Sequence, residues 1–245
     1  MSRFAYRFIV LLVGGLLVAA TGLSTTSAEE LASLPPAEKG PDLPAHVEQE
    51  IRVEGVTQFH KWTDMVARWN TEVVSANACA EAKGETDQCV PDEWALLTTR
   101  LKGLDHRAML DDVNRTLNAH RYVTSLDNWG TPDHWETPFE FMRRDGQCQD
   151  YAIAKFMVLR AMGFTNDELR VLVVRDVDRN LDHAVLVAYI DNQAWLLDSL
   201  NDNVVPLATA SAYRAYYAIN ESGWWLYLPN PLGITMAPPT RVAAR

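Results

Sequence analysis

In the first half of the chain, hydrophobic residues recur every three or four positions, as on the buried face of an α-helix. This spacing predicts helices over residues 56–73, 91–104 and 107–122. The second helix starts with Pro91, which suits a first turn, and ends near Gly103. The predicted buried faces consist of Phe59, Trp62, Val66, Trp69 and Val73 in the first helix and of Met109, Leu110, Val113 and Leu117 in the third.

The middle of the chain passes from turn residues into a further helix. A short helix is predicted to start at Thr137-Pro138, and a longer one extends from about Cys148 to a glycine stop at Gly163. The buried face of the longer helix contains Tyr151, Ala152, Phe156 and Leu159. Cys148 therefore stands at the predicted N-terminus of a helix.

Beyond Gly163 the pattern changes to that of β-strands. Residues 170–176, 183–190 and 194–199 are rich in β-branched and apolar side chains. The stretches YRAYYAI and WWLYL flank residues 220–223 and predict a hairpin. Helices followed by strands that only hairpins connect predict an α+β fold with an antiparallel sheet.

Residues 1–28 have the composition of a secretory signal peptide. Two arginines precede an apolar run over residues 8–23, and small residues stand before Glu29, where cleavage is expected. An uncleaved membrane anchor is the alternative. The run contains Gly14 and Gly15 and is shorter than the ~20 residues of a usual membrane span, which favours the signal peptide.

The remaining chain is predicted to form one domain, because its length suits a single hydrophobic core. Residues 29–47 are rich in proline and charge and predict a flexible leader, and residues 231–245 predict a loose tail. The folded domain is expected to cover residues 48–230. No internal repeat is evident.

The charge of the chain argues against a nucleic-acid partner. The full chain has 22 basic and 32 acidic side chains, a net charge of −10. Loss of Arg3 and Arg7 with the signal peptide would leave 20 against 32, or −12. An acidic surface of this kind repels nucleic acid and anionic lipid.

The cysteine content fits an exported protein with one disulfide. Cys79 and Cys89 lie in a polar stretch with Gly84 between them, and in an oxidising compartment we expect them to pair. Two unpaired thiols are the alternative. If the pair forms, Cys148 is the odd thiol and needs another explanation.

A catalytic role for Cys148 requires that its sulfur become an anion. The positive end of a helix dipole and a neighbouring imidazolium both favour a thiolate. Of the six histidines, His183 is the best candidate, because it stands at the start of a predicted strand after a turn-like segment. The alternatives are a packed Cys148 and an exposed His183 at a strand end.

A third group follows from the predicted hairpin. If its turn is centred on residues 191–192, opposing residue numbers sum to 383, so Val185 faces Asp198. His183 and Asp198 are then diagonal neighbours on one face, and an aspartate there can hold the imidazole in place. A hairpin loop with an odd residue count would put them on opposite faces. Four other acids compete for the role: Asp150, Asp182, Asp191 and Asp202.

The motifs W-x-T-P-x-E-F, G-x-C-x-D-Y-A-I-A-K, L-D-H-A-V-L-V and W-L-L-D resemble those of the bacterial transglutaminase-like cysteine peptidases, the LapG-like periplasmic proteases. The resemblance covers about residues 122–228. It implies a papain-like, transglutaminase-like α+β fold, with the nucleophile-bearing helix packed on an antiparallel sheet. It also implies Cys148 as nucleophile, His183 as general base and Asp198 as orienting acid.

The resemblance further implies a periplasmic enzyme that cleaves a large surface adhesin and that a membrane receptor sequesters. Other members carry acids on both sides of the cysteine, and these help to bind a required calcium ion. Here both positions are amides, Gln147 and Gln149, and Asp150 remains as a weak calcium candidate. We therefore expect no cofactor, because hard Ca²⁺ sites depend on negatively charged oxygens.

Two further function classes stay open from the sequence. The same acyl-enzyme could transfer its acyl group to an amine, which would make the protein a transglutaminase. Alternatively, the fold could be a non-catalytic envelope module with an aromatic binding surface formed by Trp129, Trp135, Trp224 and Trp225.

Overall fold

The computed structural model describes residues 47–83 and 89–229. Within these ranges the helices are α1 (His60–Lys83), α2 (Asp92–Leu101), α3 (His106–Asn118), α4 (Ser125–Trp129), α5 (Pro138–Arg144) and α6 (Cys148–Ala161). The strands are β1 (Val47–Glu54), β2 (Leu169–Asp176), β3 (Leu181–Ile190), β4 (Gln193–Asp198), β5 (Asn201–Pro206), β6 (Tyr213–Ile219) and β7 (Gly223–Pro229). Each predicted helix and strand has a counterpart among them.

Local side-chain signals set several helix starts. The carboxylate of Asp105 accepts the main-chain N–H of Ala108 and caps α3. Thr137 and Glu140 cap α5 reciprocally, since each side chain accepts the main-chain N–H of the other residue. The observed helices begin within a few residues of the predicted positions. Helix α1, however, continues ten residues beyond its predicted end.

The strands of the described ranges form one antiparallel sheet in the order β1-β7-β6-β2-β3-β4-β5. The expectation of hairpin connections alone is wrong. The chain leaves β5 at one edge and returns in β6, which lies between β7 and β2. β1 and β5 were not predicted as strands. β5 begins with Asn-Asp-Asn, whereas in β1 charged residues alternate with Val47, Ile51 and Val53, a strand signal that was overlooked.

Hydrophobic cores lie on both faces of the sheet. The larger one packs the helices against residues such as Leu186 and Leu197, whereas their sequence neighbours Val187 and Leu196 belong to a second cluster on the other face. Helix α6 packs against β2 and β3 and contributes much of the larger core. Helix α6, which begins with Cys148, therefore rests on the antiparallel sheet, and the predicted α+β class is confirmed.

The terminal predictions fall almost entirely outside the described residues. The signal peptide (1–28), the leader (29–47) apart from Val47, and the tail (231–245) are not covered, and Val47 begins β1. Among the described residues, no helix combines the length and the apolar character needed to cross a membrane.

Candidate active site

A tight turn brings Gly146 against the first turn of α6. A Cβ at position 146 would lie 2.8 Å from Cβ of Asp150 and 3.0 Å from the ring of Phe141, so a larger residue would force the turn to shift. The main-chain N–H of Gln147 donates to Oδ2 of Asp150 at 2.9 Å and closes the turn. Cys148 is then the first residue of α6 and is partly exposed. The unused N–H groups and the positive end of the helix dipole suit an anionic sulfur there.

The β3–β4 hairpin has the predicted register. Ile190 pairs with Gln193, and opposing residue numbers along the hairpin sum to 383. The two turn residues, Asp191 and Asn192, have φ angles of 51° and 60°, which a two-residue hairpin turn of this kind requires. The even loop keeps the side chains at positions 183 and 198 on one face of the sheet.

His183 lies between Asp198 and Cys148. Nε2 of the imidazole lies 2.8 Å from Oδ1 of Asp198, and both side chains are buried. Since Nε2 faces the aspartate, Nδ1 is the ring nitrogen left for Cys148, whose sulfur lies 3.7 Å from Oε1 of Gln149 in the structure. Burial alone would lower the pKa of His183, but the hydrogen bond to Asp198 and the interactions with the charged forms of Asp198 and Cys148 raise it to about 9. The site therefore stabilises an imidazolium.

The carboxylate of Asp198 is held by three donors. Oδ1 accepts the N–H of Leu200 at 2.9 Å as well as Nε2 of His183, and Oδ2 accepts the hydroxyl of Tyr213. Burial would raise the pKa of Asp198, yet His183, Tyr213 and the N–H of Leu200 lower it overall. The same contact, together with burial, raises the pKa of Tyr213. Asp198 is thus an ionised, fixed partner for the imidazole.

The other four acids considered from sequence occupy different places. Asp182 is exposed and forms an ion pair with Arg175 at 3.1 Å, and Asp191 is exposed in the hairpin turn. Oδ1 of Asp202 accepts a hydrogen bond from Asn118, and Asp150 lies beneath the turn before α6. Of the five acids, Asp198 is the one that hydrogen-bonds to His183.

The residues beside Cys148 do not fit a calcium site. Ca²⁺ takes about six to eight oxygen ligands, several of them anionic. The Gln147 amide instead donates to Oγ of Ser125 at 3.0 Å, and the Gln149 amide contacts Oδ2 of Asp150 at 3.4 Å. Within residues 47–83 and 89–229, no group of three or more His, Cys, Asp or Glu side chains is placed to hold a metal ion.

Asp150 itself is poorly prepared as a ligand. Its Oδ1 accepts the N–H of Glu136 at 2.9 Å and its Oδ2 accepts the N–H of Gln147. Burial and the nearby Glu136 carboxylate raise the pKa of Asp150 to about 8, although these N–H donors lower it. Each oxygen of Asp150 thus accepts a main-chain hydrogen bond that holds the turn before α6.

Cys79 and Cys89 form the predicted disulfide, which joins α1 to the segment before α2. Cys148 is a free cysteine. The structure therefore separates the structural pair of cysteines from the thiol beside His183, as the sequence predicts.

The tryptophans of the suggested aromatic surface make contacts within the fold. Nε1 of Trp129 donates to Glu136 at 2.6 Å, and Trp225 is buried under the guanidinium of Arg170. Trp135 and Trp224 are half-buried and pack against the larger core. These contacts explain the tryptophans by packing, which removes the observation that favoured a binding module.

Sequence reasoning missed two residues that organise the site. The hydroxyl of Tyr213 donates to Asp198, but its proximity depends on a chain crossing that brings β6 back near Asp198, which no local pattern indicates. Glu136 is buried, accepts from Asn128 and Trp129, and supports Asp150 through its N–H. A charged residue inside W-x-T-P-x-E-F, just before the cap of α5, is the one signal that pointed to it.

Comparison with known proteins supports the resemblance seen in the motifs. Residues 68–230, which contain Cys148, His183 and Asp198, match the family model for bacterial transglutaminase-like cysteine proteinases (BTLCP). The solved structure of Legionella pneumophila LapG is 30% identical, with 54% of this chain and 75% of that chain covered and a TM-score of 0.50. Calcium-bound LapG from the same organism is 28% identical, with 58% and 81% covered and a TM-score of 0.50. No curated protein sequence matches the chain.

Proposed function

The chain belongs to the bacterial transglutaminase-like cysteine proteinases and is a cysteine peptidase of the LapG type, and we propose that Cys148, His183 and Asp198 are its catalytic triad. The observation that carries the proposal is the position of His183, which hydrogen-bonds to Asp198 through Nε2 and lies near enough to Cys148 for that thiol to raise its pKa. This is the arrangement in which a base, oriented by an acid, activates a nucleophile.

Each group then has a defined step. Cys148, as thiolate, attacks the scissile carbonyl carbon and forms a tetrahedral intermediate. N–H groups at the start of α6 stabilise its oxyanion, because the helix does not use them internally. Nδ1 of His183 gives a proton to the leaving amine, and an acyl-enzyme remains. Water, deprotonated by His183, then attacks the thioester and releases the acid, and the sulfur returns to its thiolate form.

The test compares the wild type with C148S and with D182N. D182N is a matched control, because Asp182 is an exposed acid on the same strand as His183 but contacts Arg175 instead. We expect the wild type and D182N to cleave members of a peptide library and C148S to cleave none. A thiol-directed covalent probe should label Cys148 in the native enzyme, and labelling only after denaturation would contradict the proposal.

A labelled amine separates hydrolysis from transfer. Water and an amine can attack the same acyl-enzyme, so the triad alone does not choose between them. We propose hydrolysis, which the family description as proteinases supports. With a labelled primary amine and a glutamine-containing protein present, cleavage without incorporation is expected, and incorporation without cleavage would identify a transglutaminase.

We further propose export to the periplasm and cleavage of a large surface adhesin near its membrane-proximal end. The signal-like composition of residues 1–28 and the motif resemblance support export, and the resemblance supports the substrate class and a sequestering membrane receptor. Fractionation followed by N-terminal sequencing should find a periplasmic chain that begins at Glu29. New protein termini in the envelope of cells that express the wild type, absent with C148S, would identify the substrate.

We also propose that the activity does not depend on calcium. LapG has been solved in a calcium-bound form, but here the residues beside Cys148 are amides that bind Ser125 and Asp150. Two acids beside a thiolate would oppose its charge unless a cation neutralised them, and neutral glutamines remove that conflict.

A further inference from the structure

Lys155 is a fully buried lysine beneath the candidate active site. It lies on α6 seven residues after Cys148, which puts both residues on the same face of the helix, two turns apart. Its exposed fraction is 0%, and a buried ammonium is costly unless hydrogen bonds compensate for the lost water. The catalytic steps do not use this side chain, so its charge needs another explanation.

The ammonium fixes the orientation of two amides on α3. Nζ donates to Oδ1 of Asn114 at 2.8 Å and to Oδ1 of Asn118 at 2.7 Å. A lysine ammonium has three donors and no acceptor, so it can meet only the oxygen end of each amide. Both NH₂ groups must therefore point away from Lys155.

Those NH₂ groups hold the turn between β4 and β5. Nδ2 of Asn118 donates to the main-chain carbonyl of Asp198 at 2.9 Å and to Oδ1 of Asp202 at 3.1 Å. Nδ2 of Asn114 donates to the carbonyls of Asn201 at 2.8 Å and Asp202 at 3.0 Å. Of the two amides, Asn118 is therefore the one that hydrogen-bonds to Asp198 itself.

We propose that Lys155 and Asn118 are positioning residues that hold Asp198 within hydrogen-bond distance of His183. This inference rests on the proposed triad. The chain of contacts runs from the nucleophile helix, through Lys155 and Asn118, to the main chain of Asp198. It ties the strand turn that carries the acid to the helix that carries the nucleophile. Neither residue reaches the substrate, so both act through Asp198.

The charged groups around Lys155 are consistent with this role. Asp198 and Asp202 face it from β4 and β5, Asn114 and Asn118 face it from α3, and on its own helix the ring of Tyr151 lies 5.9 Å from Nζ. Burial lowers the pKa of Lys155 to about 7, and the charges of Asp198 and Asp202 oppose this change.

The decisive variant is N118D, with N114D as its matched control. Each substitution adds one charge and keeps an oxygen for Lys155, but N118D alone removes the donor to the carbonyl of Asp198. We expect kcat of N118D to fall about 10- to 100-fold, as misplaced catalytic groups do, with KM unchanged. With the anionic reagent iodoacetate, Cys148 alkylation has an alkaline limb that reports the His183 imidazolium, because the cation attracts the reagent. This limb should move to lower pH in N118D and stay in place in N114D.

K155M tests the other end of the same contact. It removes the ammonium without adding charge, and we expect the same direction of change in kcat and in the alkaline limb. Thermal melting must first show that each variant is folded at the assay temperature. N118L replaces N118D if the added charge prevents folding.

The proposal is overturned if folded N118D and K155M keep the wild-type kcat and alkaline limb. It is also overturned if N114D moves that limb to lower pH as far as N118D does, because loss of the donor to the carbonyl of Asp198 would then not be the cause. These outcomes are distinct from failure of the proposed triad, which would appear as full activity in C148S.

Discussion

Nε2 of His183 lies 2.8 Å from Oδ1 of Asp198, although the two residues come from adjacent strands and are fifteen positions apart in the chain. The contact is buried, and it leaves the opposite ring nitrogen for the sulfur of Cys148. It therefore decides both the tautomer of the neutral ring and the direction in which the imidazolium points.

Replacement of Asp198 by asparagine should disable the base while keeping the fold. An amide has no negative charge to stabilise the imidazolium, and its NH₂ group can force the wrong tautomer of His183. We expect kcat to fall by about 10³- to 10⁴-fold. Steady-state cleavage of a peptide substrate measures the change, and D182N should retain wild-type kcat. A D198N enzyme with wild-type kcat would exclude Asp198 as the orienting acid.

The hydroxyl of Tyr213 should matter because it binds the carboxylate of Asp198. Y213F removes one hydrogen bond to a charged group, and we expect the free energy of unfolding at pH 7 to fall by about 1.5 to 3 kcal/mol. Because the pKa of Asp198 is lowered in the folded protein, ionised Asp198 stabilises the fold fully at pH values above its ordinary pKa of 3.8. This stabilisation is lost as the pH falls through the folded-state pKa. The difference between wild type and variant should therefore narrow in acid.

Denaturant unfolding at several pH values measures this difference. Y216F is the matched control, since Tyr216 is on the same strand but is exposed and contacts Asp182 at 3.3 Å. Equal stability losses in Y213F and Y216F would show that the hydroxyl does not stabilise Asp198.

The elevated pKa of His183 should set the alkaline limit of the enzyme. Its folded-state pKa of about 9 exceeds the ordinary value of 6.5, so the charged ring contributes stability fully below about pH 6.5. That contribution is lost as the pH rises toward 9, and the proton needed by the leaving amine is lost with it. We expect kcat/KM to decline with a midpoint near pH 9.

H183Q isolates the stability part of this effect. The difference in free energy of unfolding between wild type and H183Q should be larger at pH 6 than at pH 10. A difference that does not change with pH would show that the pKa of His183 is the same in the folded and unfolded protein, which would contradict the raised pKa.

Much of the site was accessible from sequence, because it depends on local patterns. The glycine turn before Cys148 places this residue at the start of a helix. The even hairpin loop places His183 and Asp198 on one face of the sheet, because side chains alternate between the two faces. These relationships involve neighbouring elements, so no knowledge of the whole sheet was needed.

The rest depends on contacts between distant segments. Tyr213 reaches Asp198 only because the chain crosses the sheet between β5 and β6, and Lys155 reaches its asparagines only because α3 packs beside α6. Hydrophobic spacing predicts which face of a helix or strand is buried, but it does not predict which other element packs against that face. The strand β1 was missed although its charged residues alternate with Val47, Ile51 and Val53, and its pairing with β7, at the other end of the described chain, could not be predicted from either segment alone.

The disulfide should stabilise the fold without affecting the thiol of Cys148. Cys79 and Cys89 are ten residues apart, and closing a loop of that size contributes about 2 to 3 kcal/mol through the unfolded chain. We expect a C79A/C89A double variant to lose about this much free energy of unfolding. Its rate of Cys148 alkylation at pH 7 should equal that of the wild type, and a slower rate would show that the disulfide shapes the site.

Replacing Gln147 and Gln149 by acids should make the activity depend on calcium, whereas the wild-type activity should not. In the wild type we expect chelator treatment to leave kcat unchanged, because the amides of Gln147 and Gln149 bind Ser125 and Asp150. The double variant Q147D/Q149E places two carboxylates beside Cys148, where they oppose the thiolate and repel Asp150. Its activity should fall at least about tenfold in chelator, the effect of roughly 1.4 kcal/mol of repulsion.

Added calcium should restore part of that activity, because three carboxylates provide the anionic oxygens that the wild-type site lacks. The matched control is E81Q/D167N, which changes two exposed acids, one in the last turn of α1 and one in the short turn before β2, and should respond to neither treatment. Complete inhibition of the wild type by chelator, reversed by calcium, would refute the proposal.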